Sequence, residues 1–231
     1  MSYMEKMKNK PIKIFAVNGS PRSTWNTAQL CEAFLDGAKS ADPNVEVELI
    51  HLGKYNFKGC ISCYACKRDN EKTYGRCNYK DEILPVIEEI SQADGILFAS
   101  PIYFGEVSSL MRAFMERLFY PWNTYEKGWK HIAPKKLETA VIYDMTIPEE
   151  MMENSGYAPI LEYFERCIGR FFEKPERLLV YDTMQFNDYS KYKSDLYDVD
   201  AKKKRHEEIF PQDCQKAYEM GKRQVEKILG K

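Results

Sequence analysis

Four thiols stand at Cys60-x2-Cys63-x2-Cys66-x10-Cys77, out of seven cysteines in the chain. Thiolates bind soft metals, and two successive C-x2-C steps wrap sulfurs around a compact centre that a fourth cysteine completes. Four thiolates are also accepted by a structural zinc ion. A Cys66–Cys77 pair and four free thiols are the remaining readings of the same spacing. Cys31 and Cys167 fall on apolar helical faces, as core thiols do, and Cys214 has no evident role.

Two further stretches carry chemistry. Gly19-Ser20-Pro21-Arg22-Ser23-Thr24-Trp25-Asn26-Thr27 gathers five hydroxyl or amide side chains and one guanidinium where a helix begins. Unpaired backbone N–H groups and the positive end of the helix dipole converge at such a point, which suits a phosphate. No Gly-Lys-Ser/Thr ends the loop, which argues against a Walker-type triphosphate site, and the spaced glycines of a dinucleotide fingerprint are missing. Plain helix capping is the competing reading, although five such residues exceed what one cap needs. Ser100-Pro101-Ile102-Tyr103-Phe104-Gly105-Glu106 is a turn stiffened by Pro and Gly, with Tyr103 and Phe104 as flat apolar surface. Its backbone N–H groups suit the polar edge of a flat heterocycle lying beside those rings. Taken alone, it also reads as a turn whose aromatics belong to the core.

The elements around these loops set where they lie. Ile12 to Val17 reads as a buried strand, and Thr27, Leu30, Cys31, Phe34, Leu35 and Ala38 as the inner face of a helix. Asp42-Pro43-Asn44 breaks that helix, and Val45 to Leu52 alternates as a second strand. An irregular segment over 53–79 carries the cysteines. Asp81 and Glu82 are placed in the first turn of a helix faced by Ile83, Val86, Ile87 and Ile90. Gly95 to Ser100 is a third strand, stopped by Pro101. Val107, Leu110, Met111, Phe114, Met115 and Leu118 mark a helix, followed by an aromatic, Lys-rich excursion over 120–136. Leu137 to Tyr143 is strand four, a helix covers Glu153 to Gly169, and strand five spans Glu176 to Tyr181. A polar, Tyr-rich stretch over 182–208 leads to a last helix with Ala217, Met220, Gly221, Val225 and Ile228 inward. Five alternations of strand and helix, without hairpin turns between strands, predict a parallel sheet covered on both faces. Ligands of such sheets bind at the carboxyl ends of the strands, where both loops fall. No repeat or linker divides residues 1–231, so a single domain is expected.

Gly19-Ser20-Pro21-Arg22 with Asn26-Thr27, and Ser100 to Gly105 with Leu110 and Phe114, resemble the cofactor loops of flavodoxin-like NAD(P)H-dependent FMN oxidoreductases. The resemblance covers about Ile12 to Leu118 and recurs weakly over Ala217 to Arg223. It implies a flavodoxin-like three-layer α/β sandwich with a five-stranded parallel sheet in the order 2-1-3-4-5. It also implies FMN, its phosphate held by Ser20, Arg22, Asn26 and Thr27, with Ser23 counted in the same loop. Pro101, Ile102, Tyr103, Phe104 and Gly105 would line the isoalloxazine. A third loop, rich in Gly or Thr in many members, here reads Asp144-Met145-Thr146-Ile147-Pro148. The cysteine spacing is similar to that of the iron–sulfur flavoprotein branch, which implies a [4Fe-4S] cluster on Cys60, Cys63, Cys66 and Cys77; the last gap is longer than in that branch. NAD(P)H as donor, a quinone or dye as acceptor, a ferredoxin-type partner for a cluster-bearing form, and a homodimer or homotetramer complete the implication.

The composition is consistent with this reading. Lys and Arg number 34 against 35 Asp and Glu, so no global field favours nucleic acid or an acidic membrane. The basic run Lys202 to Arg205 reads as a solvated loop or helix start. Met1 to Pro11 lacks the apolar core of a signal peptide, and no stretch approaches the roughly 20 apolar residues of a membrane span. A cytoplasmic location is expected. His51 and His131 have no Ser, Cys or acid at telling spacing, and no protein side chain is singled out as catalytic. A flavin would carry the chemistry itself.

Overall fold

The computed structural model describes residues 10–69, 72–128 and 130–230. Five parallel strands, β1 (Ile12–Asn18), β2 (Val45–His51), β3 (Gly95–Tyr103), β5 (Glu138–Asp144) and β6 (Glu176–Val180), lie in the order β2-β1-β3-β5-β6. This is the expected order. A sixth, two-residue strand, β4 (Glu106–Val107), pairs antiparallel with the end of β3 and adds a hairpin the periodicity did not suggest.

The strand sequences explain the layering. Central strands β1, β3 and β5 are almost wholly buried, whereas edge strand β2 alternates half-buried with exposed. Strands covered on both faces need apolar residues at every position, and successive side chains then divide between two cores. Phe15, Val17, Ile96, Phe98, Val141 and Tyr143 face α2 (Leu84–Ile90), α3 (Ser109–Phe119) and the helical stretch formed by α4 (Met152–Ser155) and α5 (Tyr157–Ile168). Ile14, Ala16, Leu97, Ala99, Ala140 and Ile142 face α1 (Asn26–Ala41) and α7 (Phe210–Ile228).

Several boundaries differ from expectation. Pro101 does not stop β3: it pairs with Asp144 in the parallel register, and the strand runs on to Tyr103. Near the end of the strand, one missing N–H costs the ladder little. The helix expected over Glu153 to Gly169 breaks at Gly156, which adopts φ 72°. Asp81 and Glu82 precede α2 rather than occupying its first turn; Asp81 pairs with Arg117, and Glu82 accepts the Asn56 N–H. The polar, Tyr-rich stretch over 182–208 contains α6 (Val199–Glu208), started by Asp198 accepting from the N–H groups of Asp200 and Ala201. Lys202 of the basic run is buried, contrary to a wholly solvated reading. Trp129 of the aromatic excursion lies outside the described residues.

Helices α1 and α7 meet backbone to backbone. A Cβ on Gly37 would lie 1.8 Å from the Tyr218 carbonyl oxygen, and one on Gly221 would lie 1.9 Å from that of Phe34. Only hydrogen side chains permit the two backbones to touch. Gly221→Ala should therefore destabilise the protein by about 3 kcal/mol or more through forced helix separation. Gln215→Ala, on an exposed part of the same helix, should shift stability by no more than about 0.5 kcal/mol. Urea unfolding of both variants measures the contrast, and equal midpoints would refute the contact.

Candidate functional site

Parallel strands deliver their carboxyl-terminal loops to one edge, and here the first two are tied together. Ser108, the N-cap of α3, donates its hydroxyl to the Gly19 carbonyl at 2.6 Å and accepts the Met111 N–H at 3.1 Å. Its own N–H goes to Ser100 Oγ at 2.9 Å, while the Gly19 N–H bonds the Ala99 carbonyl at 2.8 Å. The loop after β1 and the loop after β3 are thus one hydrogen-bonded unit.

The first loop is not spent on capping α1. Trp25 occupies the cap position and makes no side-chain cap bond. The amino-terminal N–H groups of α1 therefore keep their affinity for an anion. The expected residues do gather at this edge. Ser20 is buried, its hydroxyl accepting the Arg22 N–H at 3.1 Å. Arg22 lies over the Trp25 ring, 4.9 Å from its centroid. Ser23 and Thr24 line a cleft of about 570 Å³ bounded by Arg22, Trp25, Gln185 and Phe186.

Sequence reasoning missed two partners of this loop. The first is Asp144, the polar end of an apolar strand, which accepts the Thr27 hydroxyl at 2.6 Å. Burial pushes the Asp144 carboxyl up to about 6, held back by Thr27 and the charge of Arg22. The second is the segment after β6. The Met184 carbonyl accepts from Trp25 Nε1 and Asn26 Nδ2, each at 3.0 Å, and the Gln185 carbonyl accepts from Arg22 Nη1 at 2.8 Å. Lys202 pins this strap from beneath through Asp182 and the Thr146 carbonyl. The Asp198 cap ahead of the basic run was the one signal for the helix that carries it.

The second loop is a two-residue hairpin turn. Tyr103 pairs with Glu106, leaving Phe104 at φ 52° and Gly105 at φ 83°. A Cβ on Gly105 would come within 2.9 Å of the Tyr157 ring, so α5 buttresses the turn. Ile102 is half-buried, Tyr103 is 39% exposed and Phe104 fully exposed. Burial pushes the Tyr103 phenol up against the pull of Arg22, whose charge reaches it across the gap between the loops.

These residues fit a flavin mononucleotide. The uncapped start of α1 with Arg22 suits its phosphate, and Asn26 Oδ1, buried without a donor among the described residues, is placed for a hydroxyl such as those of a ribityl chain.

The four expected cysteines converge as well. Cys60, Cys63, Cys66 and Cys77 line one narrow cavity with Tyr79, Glu116, Arg117 and Tyr120. The ten-residue gap is closed at its end by the Gly75 N–H bonding the Cys66 carbonyl at 3.0 Å, which returns the chain beside Cys66. Cys60 N–H bonds Glu116 at 3.1 Å. All seven cysteines are unpaired, so the Cys66–Cys77 disulfide is not formed. Among the described residues no group of three or more His, Cys, Asp or Glu side chains is already placed around a metal-ion position. Four thiols lining a shared cavity have the donor chemistry of an iron–sulfur or a zinc centre. Cys31 is core, as expected, but Cys167 is half-buried in a groove shared with Cys60.

The four non-glycine residues with positive φ among those described are Ser62, Tyr64, Phe104 and Asp182. Two flank Cys63, one tips the hairpin and one opens the strap. Such strain persists where surrounding contacts over-determine the backbone, and it concentrates at ligand sites. His51 Nδ1 accepts from Asn18 Nδ2 at 3.1 Å, and the His131 ring meets Phe171 edge-on, so both are engaged in structural contacts.

Residues 12–134 match the family described as NADPH-dependent FMN reductase. An iron-sulfur flavoprotein of Methanocaldococcus jannaschii is 33% identical over 106 residues, 46% of this chain and 51% of that protein. One of Archaeoglobus fulgidus is 36% identical over 106 residues, 46% of this chain and 48% of its own. The chain thus spans about half the length of the curated relatives it matches. An NAD(P)H:quinone oxidoreductase from Methanothermobacter marburgensis superposes with TM-score 0.67 at 16% identity, covering 92% of this chain and 98% of its own. An azoreductase from Bacillus anthracis gives 0.63 at 14%, covering 92% and 99%. At these identities the two structures share the fold.

Asp144 yields a test independent of any ligand. Its folded-state value lies above the ordinary 3.8, so the native state binds the extra proton and stability falls as pH rises from about 4 to about 6. Asp144→Asn should stabilise the protein at pH 8 relative to its effect at pH 4 by up to about 3 kcal/mol. Equal effects in urea at both pH values would show that the buried carboxyl is not perturbed.

Proposed function

The chain belongs to the NADPH-dependent FMN reductase family, and from that premise we propose that it is an FMN-dependent oxidoreductase passing electrons from NAD(P)H to a small acceptor such as a quinone or dye. The observation that carries the reading is the bonded pair of loops, an uncapped helix start with Arg22 on one side and a rigid aromatic hairpin on the other. Bound FMN supplies the exchange of hydride and electrons at its ring.

The chain's own residues bind and orient. Arg22 and the first N–H groups of α1 hold the phosphate, with Ser20, Ser23, Asn26 and Thr27 shaping its surroundings. Pro101, Ile102, Tyr103, Phe104 and Gly105 would line the ring. Asp144 sets a negative charge behind Thr27, which Arg22 offsets. The strap at Met184 and Gln185 holds Arg22, Trp25 and Asn26 in place. No general acid or base is required of the protein.

A second reading, an electron carrier with a [4Fe-4S] cluster on Cys60, Cys63, Cys66 and Cys77 and a ferredoxin-type partner, is favoured by the shared cysteine cavity. Exposed Ile61 and Tyr64 at that cavity, with Phe104 on the hairpin, support a protein contact, either that partner or a second and fourth copy of the chain. Among the described residues no helix is long and apolar enough to cross a membrane. That agrees with a cytoplasmic protein working as one flavin-binding unit.

Protein purified without oxygen should show flavin bands, release FMN on denaturation and bleach rapidly with NADPH or NADH. Bleaching only by a reduced ferredoxin would favour the carrier. A protein that stays colourless when offered FMN would sink both. Arg22→Ala should weaken FMN binding about 10- to 100-fold by loss of a charge-assisted contact, read from quenching of flavin fluorescence.

A further inference from the structure

A buried and fully bonded polar group lies at the cysteine cavity. Arg117, on the last turn of α3, has a side chain only 1% exposed. All five of its N–H donors are used. Nη1 and Nη2 grip the Asp81 carboxylate at 2.5 and 3.0 Å, and they also bond the Lys58 and Tyr79 carbonyls at 3.1 and 2.9 Å. The remaining donor, Nε, points at Cys77 Sγ at 3.2 Å. The Tyr79 ring stacks on the guanidinium at 5.0 Å.

A buried guanidinium is costly unless every donor is met, and a carboxylate, two carbonyls and one ring would meet most of that need. Spending the last donor on a thiol, rather than a better oxygen acceptor, calls for a further account. Cys77 is also the residue that the long gap would otherwise leave least constrained. Lys58 precedes the first cysteine, and Tyr79 and Asp81 follow the last. One side chain therefore holds both ends of the cysteine segment and one of its sulfurs. Neither Arg117 nor Asp81 belongs to the cysteine spacing or to the flavin loops.

We propose that Arg117 is a positioning residue for an iron–sulfur centre, holding Cys77 Sγ at the cavity wall and donating a hydrogen bond to it. The inference rests on the cluster reading given above. Hydrogen bonds to ligating sulfur favour the reduced state, and outer contacts that orient a ligand govern how firmly the metal is kept.

The experiment uses full-length protein reconstituted anaerobically with ferrous iron and sulfide: wild type, Arg117→Lys, Cys77→Ser and the double variant. Wild type should hold the cluster. Arg117→Lys should lose iron to a chelator about 10- to 100-fold faster and shift the cluster's midpoint potential to more negative values. The double variant should lose iron no faster than Cys77→Ser alone, because both changes act on one sulfur. Asp81→Asn, which loosens the fork but leaves the guanidinium in place, should move both readouts in the same direction by less. It also serves if circular dichroism shows that Arg117→Lys does not fold. Wild type without iron overturns the cluster reading and this proposal with it. A loaded wild type whose Arg117 and Asp81 variants keep its potential and its rate of iron loss overturns the proposal alone, leaving Arg117 a scaffold residue.

Discussion

The bond from Ser108 to the Gly19 carbonyl is the constraint on which the rest of the edge depends. A parallel sheet brings the ends of β1 and β3 side by side but does not fix the loops that leave them. Ser108 caps α3, receives α3's own N–H and reaches across to the first loop. The position of a helix, the turn after β3 and the phosphate-type loop thereby become a single variable. The strained φ values at Phe104 and the half-open ring surface beside it are tolerable because that unit does not relax.

Helix α3 also links the two proposed redox centres. Its amino end is built into the loop clasp, and Arg117, nine residues on, into the cysteine cavity. At the rise of an α-helix that is a separation of about 13 Å along one rigid element. The opposite face of the sheet contributes the packing of α1 against α7. The layers thus divide the labour: one carries chemistry along a helix, the other anchors the helix whose start receives the anion.

What could be read in the residues follows from where the forces act. Central strands show as apolar runs because both faces are buried, and the order of the sheet follows from the resemblance those runs support. The two loops and the cysteines were legible because their residue types have few other uses at such spacing. Helix α6 was not, since one buried lysine and an Asp198 cap leave little apolar periodicity to detect. Asp144, Arg117 and the strap escaped for a different reason. Each matters through a partner far along the chain: Thr27, Cys77 and Arg22 respectively. A pair of that kind exists only once the fold has brought it together. Pro101 shows the converse, a local signal for a strand end that the neighbouring strand overrode.

The backbone contact of Gly37 with Tyr218, and of Gly221 with Phe34, bears on how the protein is made. Helix α1 is translated well before α7, the helix that covers it. Until Phe210–Ile228 emerges, the apolar face of α1, with Leu30, Phe34 and Ala38, has no lid, and such contacts of high sequence separation form late. Helix α1, whose start forms the first loop, therefore gains its cover only after all the strands of the sheet have been made.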